Sequence, residues 1–134
     1  MANGAIYSKS GFNALLNRGY KSTPDNTIPS RFKIGISTTT PATTDTDLGT
    51  PITGWYGGGD YKNFVAGYPT FDTTNQKVTV QAFIASTEAN GNSISEIGCF
   101  NTDASPVMSD HIVFTSITKT SAVQVFITTT YRRV

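Results

Sequence analysis

Lys77-Val78-Thr79-Val80-Gln81-Ala82-Phe83-Ile84-Ala85 alternates along its length, with Val78, Val80, Ala82 and Ile84 on one face. A period of two belongs to a half-buried β-strand. Asp72-Thr73-Thr74-Asn75-Gln76 reads as a turn, and the run from Phe64 to Phe71 before it is a second candidate strand. The two runs are expected to pair as a hairpin. Gly67 and Pro69 interrupt the first run and mark it as an edge or bulged strand.

The same theme continues downstream. Glu88-Ala89-Asn90-Gly91-Asn92 supplies an Asn-Gly turn, Ile94 to Phe100 reads as a strand, and Val107 to Thr118 and Ala122 to Tyr131 are the last two. In the final strand Val123, Val125, Ile127, Thr129 and Tyr131 share a face, while Gln124, Thr128 and Thr130 take the other with Phe126 as its apolar exception. Upstream, Phe32, Ile34 and Ile36 alternate with Lys33 and Gly35, a further half-buried strand over Arg31 to Ser37. Thr38 to Thr50 is a polar, Thr-rich loop with Leu48 as its apolar anchor, expected to run across one edge or end of the domain.

Only the first segment has a helical pattern. Ser10 to Gly19 begins with a candidate N-cap Ser, places Phe12, Leu15 and Leu16 at spacings of three and four, and ends in Gly. A helix this short must dock its apolar stripe on the parent domain or on a neighbouring subunit. About six or seven strands at this spacing predict an all-β protein. The expected form is an antiparallel, jelly-roll-like β-sandwich with a short N-terminal helix or arm, and a closed barrel is the alternative. Residues 1–30 are assigned to the arm, a docking segment, and 31–134 to the sandwich domain.

Composition agrees. The 134 residues include 22 Thr, and the hydrophobic fraction of 37% suffices for one modest core. With 14% charged residues, a net charge of +1 and no basic run longer than Arg132-Arg133, the chain lacks an electrostatic footprint for nucleic acid or an anionic membrane. No apolar stretch approaches the roughly 20 residues that span a bilayer, and Met1-Ala2-Asn3-Gly4 does not open a leader, so a soluble protein without a secretory signal is expected. Cys99 is the single cysteine, which rules out an intrachain disulfide.

Catalytic patterns are sparse. His111 follows Asp110 in an apolar strand, but no Gly-x-Ser-x-Gly elbow accompanies it, and it reads as a surface or interface histidine. Cys99 has no cationic neighbour in sequence and reads as a buried structural thiol. Asp45-Thr46-Asp47 offers two carboxylates to a cation without the rest of a calcium loop. No catalytic residue, cofactor or metal site is therefore assigned. The run Gly54-Trp55-Tyr56-Gly57-Gly58-Gly59-Asp60-Tyr61 lacks a phosphate-cradling pattern. Its aromatics can cap the core, anchor a partner or stack on a sugar. Phe12, Leu15, Leu16, Trp55, Tyr56 and Tyr61 are the candidate interface residues.

Phe32-Lys33-Ile34-Gly35-Ile36-Ser37-Thr38-Thr39-Thr40-Pro41, then Asp45-Thr46-Asp47-Leu48 and Pro51-Ile52, resembles the opening of small structural domains in tailed-bacteriophage tail, baseplate and fibre proteins. Ile94 to Asn101, His111 to Lys119 and the closing alternating strand resemble the rest of that pattern, over roughly residues 31–131. The resemblance implies a virion structural protein, not an enzyme, assembled in the host cytoplasm. Its partners would be copies of itself, as a homo-oligomer, or other virion proteins. A tail, baseplate, collar or fibre-attachment role is the expected one, and since the sequence runs to Val134 without the long stalk of fibre proteins, an adaptor, collar, baseplate or decoration role is more natural than direct receptor binding. A capsid decoration protein and a carbohydrate-binding module are the alternatives.

Overall fold

The computed structural model describes residues 6–132, with backbone only for Ile6 and Tyr7. The assigned arm's first five residues, and Arg133 and Val134 at the end of the assigned sandwich domain, lie outside the described residues. Two antiparallel sheets form a β-sandwich with one short helix near its N-terminus. The larger sheet has the order β1 (Ile6–Tyr7), β7 (Met108–Thr118), β6 (Ser93–Phe100), β2 (Arg31–Gly35), β3 (Lys62–Asn63). The smaller has the order β4 (Thr70–Asp72), β5 (Lys77–Ile84), β8 (Val125–Arg132). Helix α1 spans Lys9–Tyr20.

The alternation read in the sequence sets which side chains meet between the sheets. Phe32, Ile34, Ile84, Ile94, Ile97 and Ile112 are buried in one cluster with Trp55 and Val125. Register follows the same faces: Ile34 pairs with Ile97, and Ala82 with Ile127. At β6 the ladder slips between Ile94 and Glu96 and again between Cys99 and Phe100, irregularities that re-aim side chains locally.

Three expectations change in detail. The continuous strand over Phe64 to Phe71 does not form. Phe64 N–H bonds to Ser30 O and Val65 N–H to Gln81 O, so this stretch crosses from the larger sheet to the smaller one, and only Lys62–Asn63 and Thr70–Asp72 are paired. The last strand begins at Val125 instead of Ala122. The helix is capped by Ser8, not Ser10: the Ser8 hydroxyl accepts the Gly11 N–H at 2.9 Å and donates to Met108 O.

That cap seats the helix on the domain's own sheet. Ser8 N–H donates to Ser109 O, β1 pairs with β7 at Asp110 and His111, and Gly11 lies flat against the β7 backbone. A Cβ on Gly11 would stand 2.6 Å from Ser109 O, whereas one on Gly19 would meet nothing within 4 Å. Gly11→Ala is therefore expected to lower the unfolding free energy by about 1–3 kcal/mol in a denaturant titration, the cost of overpacking. Gly19→Ala should be neutral or stabilising by up to about 1 kcal/mol. Equal effects of the two would contradict this seating.

Candidate functional site

The outer face of the larger sheet is not bare. Paired positions place Lys33 of β2, Glu96 and Gly98 of β6 and His111 of β7 on that face, and the Thr-rich segment folds over them. Leu48 is buried there with Phe100 and Met108, and Gly98 leaves room for all three side chains. Polar groups complete the cover. Lys33 Nζ lies 2.7 Å from Asp47 Oδ1, and the Glu96 carboxylate accepts the backbone N–H groups of Ser37, Gly49 and Thr50 at 3.1, 2.9 and 2.8 Å.

His111 joins the two elements. Its Nδ1 is 2.8 Å from Asp45 Oδ2 and its Nε2 is 2.8 Å from Glu96 Oε2. Carboxylates only accept, so this arrangement suits an imidazolium that donates from both nitrogens. The bond to Glu96 raises the His111 pKa, burial opposes, and the bond to Asp45 adds to the rise. Burial alone would raise the Glu96 carboxyl, but the bonds from His111 and the three backbone N–H groups hold it below its ordinary value. The Ala42 N–H, together with His111, holds Asp45 down. With both nitrogens engaged, His111 has no free position from which to take a proton from a nucleophile. Asp45 and Asp47, the sequence's candidate cation ligands, are drawn to different cations of the protein itself.

On the inner face of the same strands the chemistry is different. A cavity of about 450 Å³ opens between α1, the segment around Ile28, and the inner faces of both sheets. Its wall is apolar except for a few groups: Asp110, Ser109, Asn101, Arg18, Thr27 and the ring end of Tyr131. Asp110 is only 1% exposed. Its Oδ1 accepts the Cys99 N–H at 2.9 Å, while Oδ2 is buried with no hydrogen-bond partner among the described residues. Burial pushes its carboxyl up to about 6, against the opposing pulls of the Cys99 N–H, the Cys99 thiol and the charge of His111. Cys99 is buried, 3.8 Å from the Tyr131 hydroxyl, and burial with the neighbouring Asp110 pushes its thiol well up, which leaves it protonated and unreactive.

The six candidate interface residues divide. Phe12, Leu15 and Leu16 stay together on α1, 49%, 56% and 41% exposed, because it is Gly11 that faces β7. Trp55 is 7% exposed: it packs on Phe32 in the core and donates its indole N–H to Asp60 O at 2.8 Å. Tyr56 remains exposed beside it. Tyr61 packs edge-on against Phe100 in the outer cluster, with the Arg31 guanidinium 4.0 Å from its ring centre. The three aromatics thus belong to different layers and present no joint stacking surface.

Sequence reasoning passed over the partners of His111, the cavity and Lys119. The Lys119 ammonium is buried and donates to Asn90 Oδ1 at 2.8 Å and Thr120 O at 2.9 Å, tying the 86–92 turn to the end of β7. One available signal was that Lys33, Glu96 and His111 each stand among apolar neighbours in strands that prove to be adjacent. Among the described residues no helix is long and apolar enough to cross a membrane. No family model, curated protein or solved structure matches the chain.

Two pH-dependent outcomes follow from opposite signs. A histidine whose folded pKa is raised stabilises fully below its ordinary 6.5 and loses that contribution as pH rises through the raised value. Lowered carboxylates stabilise fully above their ordinary 4.5 and 3.8 and lose it as pH falls. The stability gap between wild type and His111→Gln should therefore be widest from pH 4.5 to 6.5 and shrink on either side. At its widest it should reach about 3–5 kcal/mol in denaturant titrations, the cost of breaking a buried ionic network. A gap that is flat with pH would contradict the assignment.

Asp110 acts the other way. The folded form holds its proton longer than the unfolded chain, so stability falls between pH 3.8 and about 6. Asp110→Asn removes that fall and should leave the variant more stable than wild type at pH 8 by up to about 3 kcal/mol. Lower stability than wild type at that pH would show that Oδ2 has a partner.

Proposed function

We propose that this chain is a structural protein of a tailed-bacteriophage virion, working by assembly with copies of itself or with other virion proteins at a tail, baseplate, collar or fibre-attachment position, without catalysis. The observation that carries the reading is the open edge of the smaller sheet. β8 pairs with β5 along all eight residues and with no other described strand. From Val125 to Tyr131 it holds no charge and no proline, the devices by which monomeric proteins blunt an edge. A strand of that kind is a template for adding another strand.

Other features support the same reading. The outer side of β5 and β8 carries the stacked pair Phe83 and Phe126, ring centres 4.6 Å apart, followed by the polar pairs Gln81–Thr128 and Thr79–Thr130. Phe126 is exposed, as is the α1 row of Phe12, Leu15 and Leu16. The near-neutral charge permits repeated close packing. The motif resemblance over roughly residues 31–131 supplies the virion context.

Light scattering after size exclusion should show association that rises with concentration. The variant Phe126→Lys, Thr128→Lys, which places two charges on the solvent side of β8, should remain folded and shift to monomer. Virion proteomics should find the chain in particles. A wild-type protein that stays monomeric and is absent from particles would overturn the reading.

A further inference from the structure

The cavity beneath α1 has no part in assembly through β8, and its wall has two properties that together describe a ligand. It is apolar over most of its surface, with Leu15, Ile28, Phe71, Val78 and Val80 contributing, and it contains one carboxylate whose second oxygen is unpaired. A buried acceptor without a donor costs the fold a desolvation penalty of about 1–3 kcal/mol, and more when charged. Sheets ordinarily satisfy such groups; here the inner face of β7 places one in register with Cys99 of β6 and Phe32 of β2. Groups held at a cost to stability are concentrated at functional sites.

We propose that this cavity binds a small, elongated apolar molecule bearing one hydrogen-bond donor, a hydroxyl or a primary amine, which Asp110 Oδ2 accepts. The size follows from the volume. At about 450 Å³ the space is about three times that of an apolar cavity that encloses benzene, room for up to roughly 18 carbon atoms. The head group follows from the wall. Asp110 lines the cavity with only 1% of it exposed, so the group that meets its carboxylate must be small. Its polarity follows from the carboxylate, which accepts and repels another carboxylate. Arg18, the cation of the wall, donates to Asn26 O on the α1 side of the cavity.

Decanol, decylamine and decanoate serve as probes, titrated into the full chain at pH 7.5 and followed by methyl NMR shifts of Leu15, Ile28, Val78 and Val80. Decanol and decylamine should move these methyls, and decanoate should bind at least about tenfold more weakly, the worth of a hydrogen bond to a charged group. In Asp110→Asn the side-chain oxygen stays on the Cys99 N–H and an amide N–H₂ replaces Oδ2. Decylamine should then lose about tenfold or more while decanoate gains. Ala14→Phe, which fills the space from the α1 side, should abolish binding of all three without touching Asp110.

Equal affinity for the three probes, with no effect of Asp110→Asn, would overturn the proposed head-group recognition. Absence of any shift at the cavity methyls would overturn the site itself. Probe-driven dissociation of an assembled form, with Asp110→Asn also weakening assembly, would identify the occupant as a side chain of a neighbouring copy and overturn the free-ligand proposal. β8-dependent assembly is read separately by light scattering, so its failure and the failure of this site are distinguishable.

Discussion

The Glu96 carboxylate is the constraint on which the rest of the structure depends. It lies fully buried on the outer face of the larger sheet and is surrounded by donors: the N–H groups of Ser37, Gly49 and Thr50, and the imidazole of His111. A charge so placed is tolerable only when every lone pair finds a donor. Satisfying it forces the polar segment after β2 to fold back over the sheet, which brings Leu48 onto Phe100 and Asp47 onto Lys33. Gly35 is part of the same requirement, since a Cβ there would collide with the Glu96 side chain and with Thr50 O. The covering layer therefore follows from one anion and its donors, in a segment whose composition alone describes a solvated loop.

Covering one face has a consequence for the others. The larger sheet is protected by this layer and by α1, whereas the smaller sheet has only three strands and nothing described lies beyond β8. Exposed apolar groups remain on α1 and at Ile28, Phe71 and Phe126. A small domain has little surface to spare for such groups unless they meet something. The assembly reading assigns the β8 edge and the α1 row to neighbouring subunits; the separate ligand proposal assigns the cavity with Asp110 to a small molecule. Each uses a feature that folding alone leaves unsatisfied.

The alternating runs were the legible part. Period-two patterns at Arg31, Lys77, Ile94 and Val107 located β2, β5, β6 and β7 closely, because burial between two sheets acts directly on residue polarity. Phe64 to Phe71 misled because its apolar residues serve a crossing between sheets, where backbone bonds go to Ser30 and Gln81 in turn. Cys99 and the helix were readable from type and spacing, while the helix start was not: the sequence pointed to Ser10, and the cap is Ser8 because β7 supplies Met108 O to its hydroxyl. The grouping of Asp45, Glu96 and His111 was out of reach: 51 residues separate the first two, and only the β6–β7 register and the returning loop bring them together. Trp55 carried the opposite lesson, a large aromatic beside three glycines whose ring is spent on the core.

Amide hydrogen exchange along β8, compared between dilute and concentrated protein, tests the central claim most directly. Association through this edge predicts that alternate amides from Val125 to Thr130, those directed away from β5, exchange freely in the dilute protein and become protected on concentration. The amides bonded to β5 should be slow in both. Unchanged exchange at the outward-directed amides, in a sample that light scattering shows to be assembled, would place the interface elsewhere and contradict the account.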